Sequence, residues 1–151
     1  MKALLGGSRE NIGVKEEIVS YIRNIELFED VALAVGGSKE TSLSEQGEIY
    51  ILGVTVQATS SAGTPVMHID IVRGDTNQPI FSSLRSDILQ DTFGGTAIFH
   101  KVIKYTSSDV VFDIKFDPPL LSKQTSVIIF NDSDTVDIDE WRILILYAVK
   151  G

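Results

Sequence analysis

Apolar and polar side chains alternate along most of this chain. The clearest run is Ile49 to Thr59, Ile-Tyr-Ile-Leu-Gly-Val-Thr-Val-Gln-Ala-Thr. A period of two places Tyr50, Leu52, Val54, Val56 and Ala58 on one face, with Thr55, Gln57 and Thr59 on the other, as in a half-buried β-strand. Gly53 within it predicts a bulge or a close backbone approach. Met67, Ile69 and Ile71 share a face opposite His68, Asp70 and Val72. Val110, Phe112, Ile114 and Phe116 line a face opposite Asp113, Lys115 and Asp117. Trp141, Ile143, Ile145, Tyr147 and Val149 form one face of a last strand whose other face, Leu144, Leu146 and Ala148, is also apolar. Something must therefore cover that second face.

Weaker patterns fill the intervals. Val31 to Val35, Glu40 to Ser44, Pro79 to Phe81, Ala97 to Tyr105 and Val127 to Phe130 read as further strands. Gly36-Gly37, Ser60 to Gly63, Gly74 to Asn77, Ser107 to Asp109 and Asn131 to Asp137 separate strands as turns. Pro118-Pro119 is expected to stop its strand. Ser83 to Leu89 has room for a helical turn around Leu84 and Ile88. The core prediction is Val54, Val56, Ile69, Ile71, Phe112, Ile114, Ile143 and Ile145.

Ahead of the strands, Val14, Ile18, Ile22 and Ile25 follow helical spacing, and Glu16 and Glu17 suit the start of a helix. The rival is extended structure, because Ile18, Ser20 and Ile22 share a strand face. The reading taken is an amphipathic helix over 14–28, preceded by a flexible arm over 1–13. Residues 29–151 then form an all-β domain. Roughly eight strands with these turn spacings predict an antiparallel β-sandwich of jelly-roll type with an N-terminal helix. No fixed-period repeat points to a propeller or a solenoid.

Composition narrows the function. The 151 residues fit one domain, and 43% hydrophobic content suits a folded one. Thirteen Lys plus Arg against 21 Asp plus Glu give a net charge of -8. That disfavours nucleic acid and anionic membrane as partners, since both attract positive surfaces. With 0 Cys, disulfides and thiol chemistry are excluded. No segment has the apolar core of a signal peptide or the length of a membrane helix. The expected location is the producing cell's cytoplasm, or a virion assembled there.

The chemistry is sparse. His68 and Asp70 share a strand face, which could begin a base-and-orienter or metal pair; the reading taken is the solvated face of a half-buried strand. His100 has Lys101 and Lys104 nearby but no nucleophile. Asp132, Asp134 and Asp137 offer oxygen ligands for Ca²⁺, yet the sixth position of such a loop is Asp137 rather than Gly and the twelfth is Ile143 rather than Glu. No catalytic, cofactor-binding or metal residues are assigned, no cofactor is expected, and an enzyme is not.

From Glu48 onward the chain resembles small jelly-roll structural proteins of viruses and phages. The resemblance lies in the Gly47-Glu48 turn before a long strand, the Ser60 to Gly63 turn and the Gly74-Asp75 turn. It continues in the approach from Pro119-Leu120 to Thr125 and in a last strand opening with Asp139-Glu140-Trp141-Arg142. It covers about two thirds of the chain. It implies a capsid, decoration or tail-fibre component and carries no residue-level role. The expected partner is a second copy, through 141–149 and the 14–28 segment, along with other virion proteins. The competing reading is a carbohydrate- or ligand-binding sandwich using Tyr50, Tyr105 or Phe93.

Overall fold

The computed structural model describes residues 23–92 and 99–150. Among them are nine strands and one short helix. They are β1 (Arg23–Leu33), β2 (Ser38–Ser42), β3 (Glu48–Thr59), β4 (Met67–Arg73), β5 (Gln78–Ser82), α1 (Ser86–Thr92), β6 (Phe99–Tyr105), β7 (Asp109–Lys123), β8 (Thr125–Asn131) and β9 (Ile138–Val149). One sheet runs β1-β9-β3-β7-β6 and the other β2-β8-β4-β5, with every pairing antiparallel. Apart from the directly paired β4–β5 and β6–β7, sequence neighbours alternate between the sheets, the interleaving of a jelly roll, with β6 added at one edge. The expected all-β jelly-roll sandwich is thus present.

The expected N-terminal helix is not. Arg23 to Phe28 belongs to β1, which pairs with β9 from Arg23 opposite Ala148 to Leu33 opposite Ile138. The physical reason is the alternation in Ile25-Glu26-Leu27-Phe28. The unsatisfied edge of β9 gives that stretch a full ladder of backbone hydrogen bonds, which an isolated helix could not match by packing one stripe. The remainder of the helix reading, 14–22, and the arm over 1–13 lie outside the described residues. The helix that is described, α1, sits where a helical turn was expected around Leu84 and Ile88. Leu89 is fully buried beneath it, and Ser86 Oγ accepts the Met67 N–H at 3.0 Å.

All eight predicted core residues are buried. They fill the space between the sheets with Ile49, Ile51, Met67, Val127, Ile129 and Ile138. The parity assigned to β3 holds only from Val54 onward. The register shifts between Ile51 and Gly53, so Ile49 and Ile51 point inward while Tyr50 is only half-buried. Opposite that shift, β7 carries the extra residues Phe116 to Pro119 between its Lys115 and Leu120 pairings. The prolines therefore do not end the strand as expected. They occupy a bulge, where a missing N–H leaves no acceptor unpaired.

Candidate functional site

Cross-strand partners lie on the same face of a sheet, so the registers lay out the outer face of the five-stranded sheet row by row. One row is Ile25, Leu146, Gly53, Lys115. The next is Leu27, Leu144, Thr55, Asp113, Lys101. A third is Glu29, Arg142, Gln57, Val111. On the other side of the first row, Tyr50 stands opposite both Ala148 and Leu121. Ile25 and Leu27 are 65% and 51% exposed, Leu144 and Leu146 each 36%, and Leu121 is exposed too.

The face is thus apolar over β1 and β9, at one side of the sheet, and polar over β3 and β7. Arg142 donates to Glu29 at 2.6 Å, and Thr55 Oγ1 donates to Asp113 Oδ1 at 2.6 Å. Gly53 has no side chain, which leaves a shallow depression of about 200 Å³ bordered by Ile25, Leu144, Leu146, Thr55, Asp113 and Lys115. Its floor is backbone: a Cβ on Gly53 would lie 3.1 Å from the Ile114 carbonyl oxygen. Sequence periodicity singled out Leu144 and Leu146. It missed Ile25 and Leu27, because a helical stripe was drawn through Ile25.

A polar cluster occupies the outer face of the four-stranded sheet. His68 Nδ1 meets Asp132 Oδ2 at 2.5 Å, and Nε2 lies 3.8 Å from Asp70. An ionised carboxylate only accepts, so Nδ1 carries the proton. The His68 ring stacks on Phe130 with centroids 4.4 Å apart and 5° between planes. Ser82 Oγ donates to Asp70 at 2.6 Å. The closer partner of His68 is thus Asp132, 64 residues away in sequence, and not Asp70.

The acidic turn is dispersed. Asp132 engages His68, Asp137 accepts the Val35 N–H at 3.0 Å and Asp139 accepts the Ser61 N–H at 2.8 Å. Among the described residues no three His, Asp or Glu side chains converge as a metal site would require. His100 is buried beside Phe81, ring centroids 6.2 Å apart. Of the aromatic residues considered for ligand binding, Tyr105 is exposed at the end of β6, Tyr50 is half-buried, and Phe93 lies outside the described residues.

No family model matches this chain, and no curated protein matches it. Solved structures do share its coarse architecture. The infectious bursal disease virus Gx strain structure matches at 10% identity and a TM-score of 0.38, over 85% of this chain and 34% of that one. The present chain therefore spans about a third of that protein's length. The Yersinia pseudotuberculosis-derived mitogen matches at 12% identity and 0.37, over 85% and 87%. The tomato aspermy virus structure matches at 12% and 0.40, over 83% and 77%. At these identities and TM-scores the likeness carries no role over to this chain.

Proposed function

We propose that this chain is a structural protein that works by self-association, as a capsid, decoration or tail-fibre component of a virion. The observation that carries the reading is the outer face of the five-stranded sheet, where Ile25, Leu27, Leu144 and Leu146 stand exposed in adjacent rows. Monomers rarely leave such a patch in water. Five strands of 7 to 15 residues, about 4.8 Å apart with a rise of about 3.4 Å per residue, make a face of roughly 900 Å². A standard interface takes about 800 Å² per partner, with an apolar centre and a polar rim. The face has about that size, with its apolar part over β1 and β9 and polar side chains over β3 and β7. Strand β9, the 141–149 segment, supplies half of the apolar part. The other half of the expected contact, 14–28, contributes through Ile25 and Leu27 on β1.

The resemblance seen in the sequence gives the reading its viral setting, with residence in the cytoplasm of the producing cell before assembly. Light scattering on the purified protein is expected to give a multiple of 16.5 kDa. Leu146→Asp should dissociate it at a temperature well below the unfolding midpoint, because burying an unpaired carboxylate in an apolar contact is costly. A monodisperse species of 16.5 kDa at high micromolar concentration would overturn the reading and favour a ligand-binding sandwich.

A further inference from the structure

The face carries both a protrusion and a recess. Leu146 stands out beside Gly53, its own cross-strand partner, where the row drops to bare backbone. A symmetric pair of copies uses the same patch twice, so it favours a patch that complements itself. We infer that two copies pack back to back through this face, with Leu146 of each seated in the Gly53 recess of the other. This deepens the self-association proposed above and rests on it.

The register supplies the geometry. Place a two-fold axis parallel to the strands, between β9 and β3. It exchanges those two strands between copies and keeps every row at its own height. Leu146 of one copy then lies over Gly53 of the other, and Leu144 lies over Thr55. One strand further out, Ile25 lies over Lys115, whose aliphatic stem can cover it while the ammonium reaches water. Sheets packed face to face stand about 10 Å apart, close enough for a leucine to reach the opposite backbone where no side chain intervenes. The rival two-fold runs across the strands between the first two rows. It sets Leu146 on Leu144, Ile25 on Leu27 and Lys115 on Asp113, and lays Thr55 over Gly53. A threonine fills the recess less than a leucine does, which forfeits packing, and the exposed ion pairs gained in exchange are worth little.

The test uses the full chain in sedimentation equilibrium. Leu146→Ala should raise the dissociation constant roughly tenfold, as loss of a central anchor does. Leu27→Ala, the same truncation in the neighbouring row, should change it much less. Gly53→Leu fills the recess and should weaken self-association as strongly as Leu146→Ala. A mixture of Gly53→Leu and Leu146→Ala chains should then associate more tightly than either alone. One of its two contacts is native, and in the other the new leucine faces the new alanine. Gly53 and Leu146 are also neighbours within one chain, so only the mixture separates a contact between copies from one inside a copy. If Gly53→Leu fails to fold, the comparison of Leu146→Ala with Leu27→Ala decides. Equal effects of those two truncations, or no recovery in the mixture of folded variants, overturn the recess geometry. Self-association itself stands as long as Leu146→Asp still dissociates the wild-type oligomer. A wild-type chain that sediments as a monomer overturns both.

Discussion

Phe112 is fully buried near the start of β7, opposite Val56. Truncating it to Ala should cost about 3–5 kcal/mol in a denaturant titration, the transfer term plus an unfilled cavity. A loss below about 1 kcal/mol would contradict its burial. Tyr147 makes a different kind of statement. Burial first, then the nearby Glu26 and Glu45 carboxylates, push its hydroxyl above the usual tyrosine range. The folded protein therefore holds that proton more tightly than the unfolded chain does. Its contribution is fully present below pH 10, the ordinary value, and is lost as pH rises through the folded-state value. Thermal melts of the wild type should fall more steeply above pH 10 than those of Tyr147→Phe. Parallel curves would refute the assignment. Both side chains were legible in the sequence, because each sits in an unbroken alternation. Tyr50 was not. The register shift between Ile51 and Gly53 reverses the parity before it, and a bulge leaves no mark in a pattern of apolar residues beyond the glycine itself. The Asp132 partner of His68 was equally hidden, since pairing of β4 with β8 brings it there and no local spacing encodes it.

At the level of elements, most strands were readable, the edge strands β2, β5 and β6 among them, and the first half of β1 was not. In β1, Ile25 and Leu27 point outward while Phe28 pairs with the inward Ile143. That mixture of faces fits a helical stripe as well as a strand, and only the open edge of β9 decides between them. Turns can be tested by what they touch. The turn after β4 abuts the one between β7 and β8. Gly74 N–H donates to the Lys123 and Gln124 carbonyls at 3.1 and 2.9 Å. A Cβ at Gly74 would fall 2.3 Å from the Gln124 carbonyl oxygen. Gly74→Ala should therefore destabilise by about 1–3 kcal/mol, read as a lower urea midpoint with the slope unchanged. An unaltered midpoint would mean that the two turns separate at no cost.

For the molecule as a whole, the carboxylates of the 132–139 turn are spread over separate hydrogen bonds rather than gathered. Chelator should leave the melting temperature where it was. A fall of several degrees that calcium alone restores would show that Asp132, Asp134 and Asp137 rearrange around the ion. The order of strands in the larger sheet has a further consequence, for synthesis. In that sheet β9 lies between β1 and β3, yet it follows both by more than 75 residues of chain. Until it is made, β1 lacks its one partner among the described strands of the sheet, and β3 exposes one whole side to whatever other nascent chains are near. Pairing Arg23 with Ala148 closes a loop nearly as long as the chain, which is slow to search. The larger sheet therefore stays split between β1 and the β3-β7-β6 part until β9 is made, and neighbouring nascent copies on one message meet with those edges open.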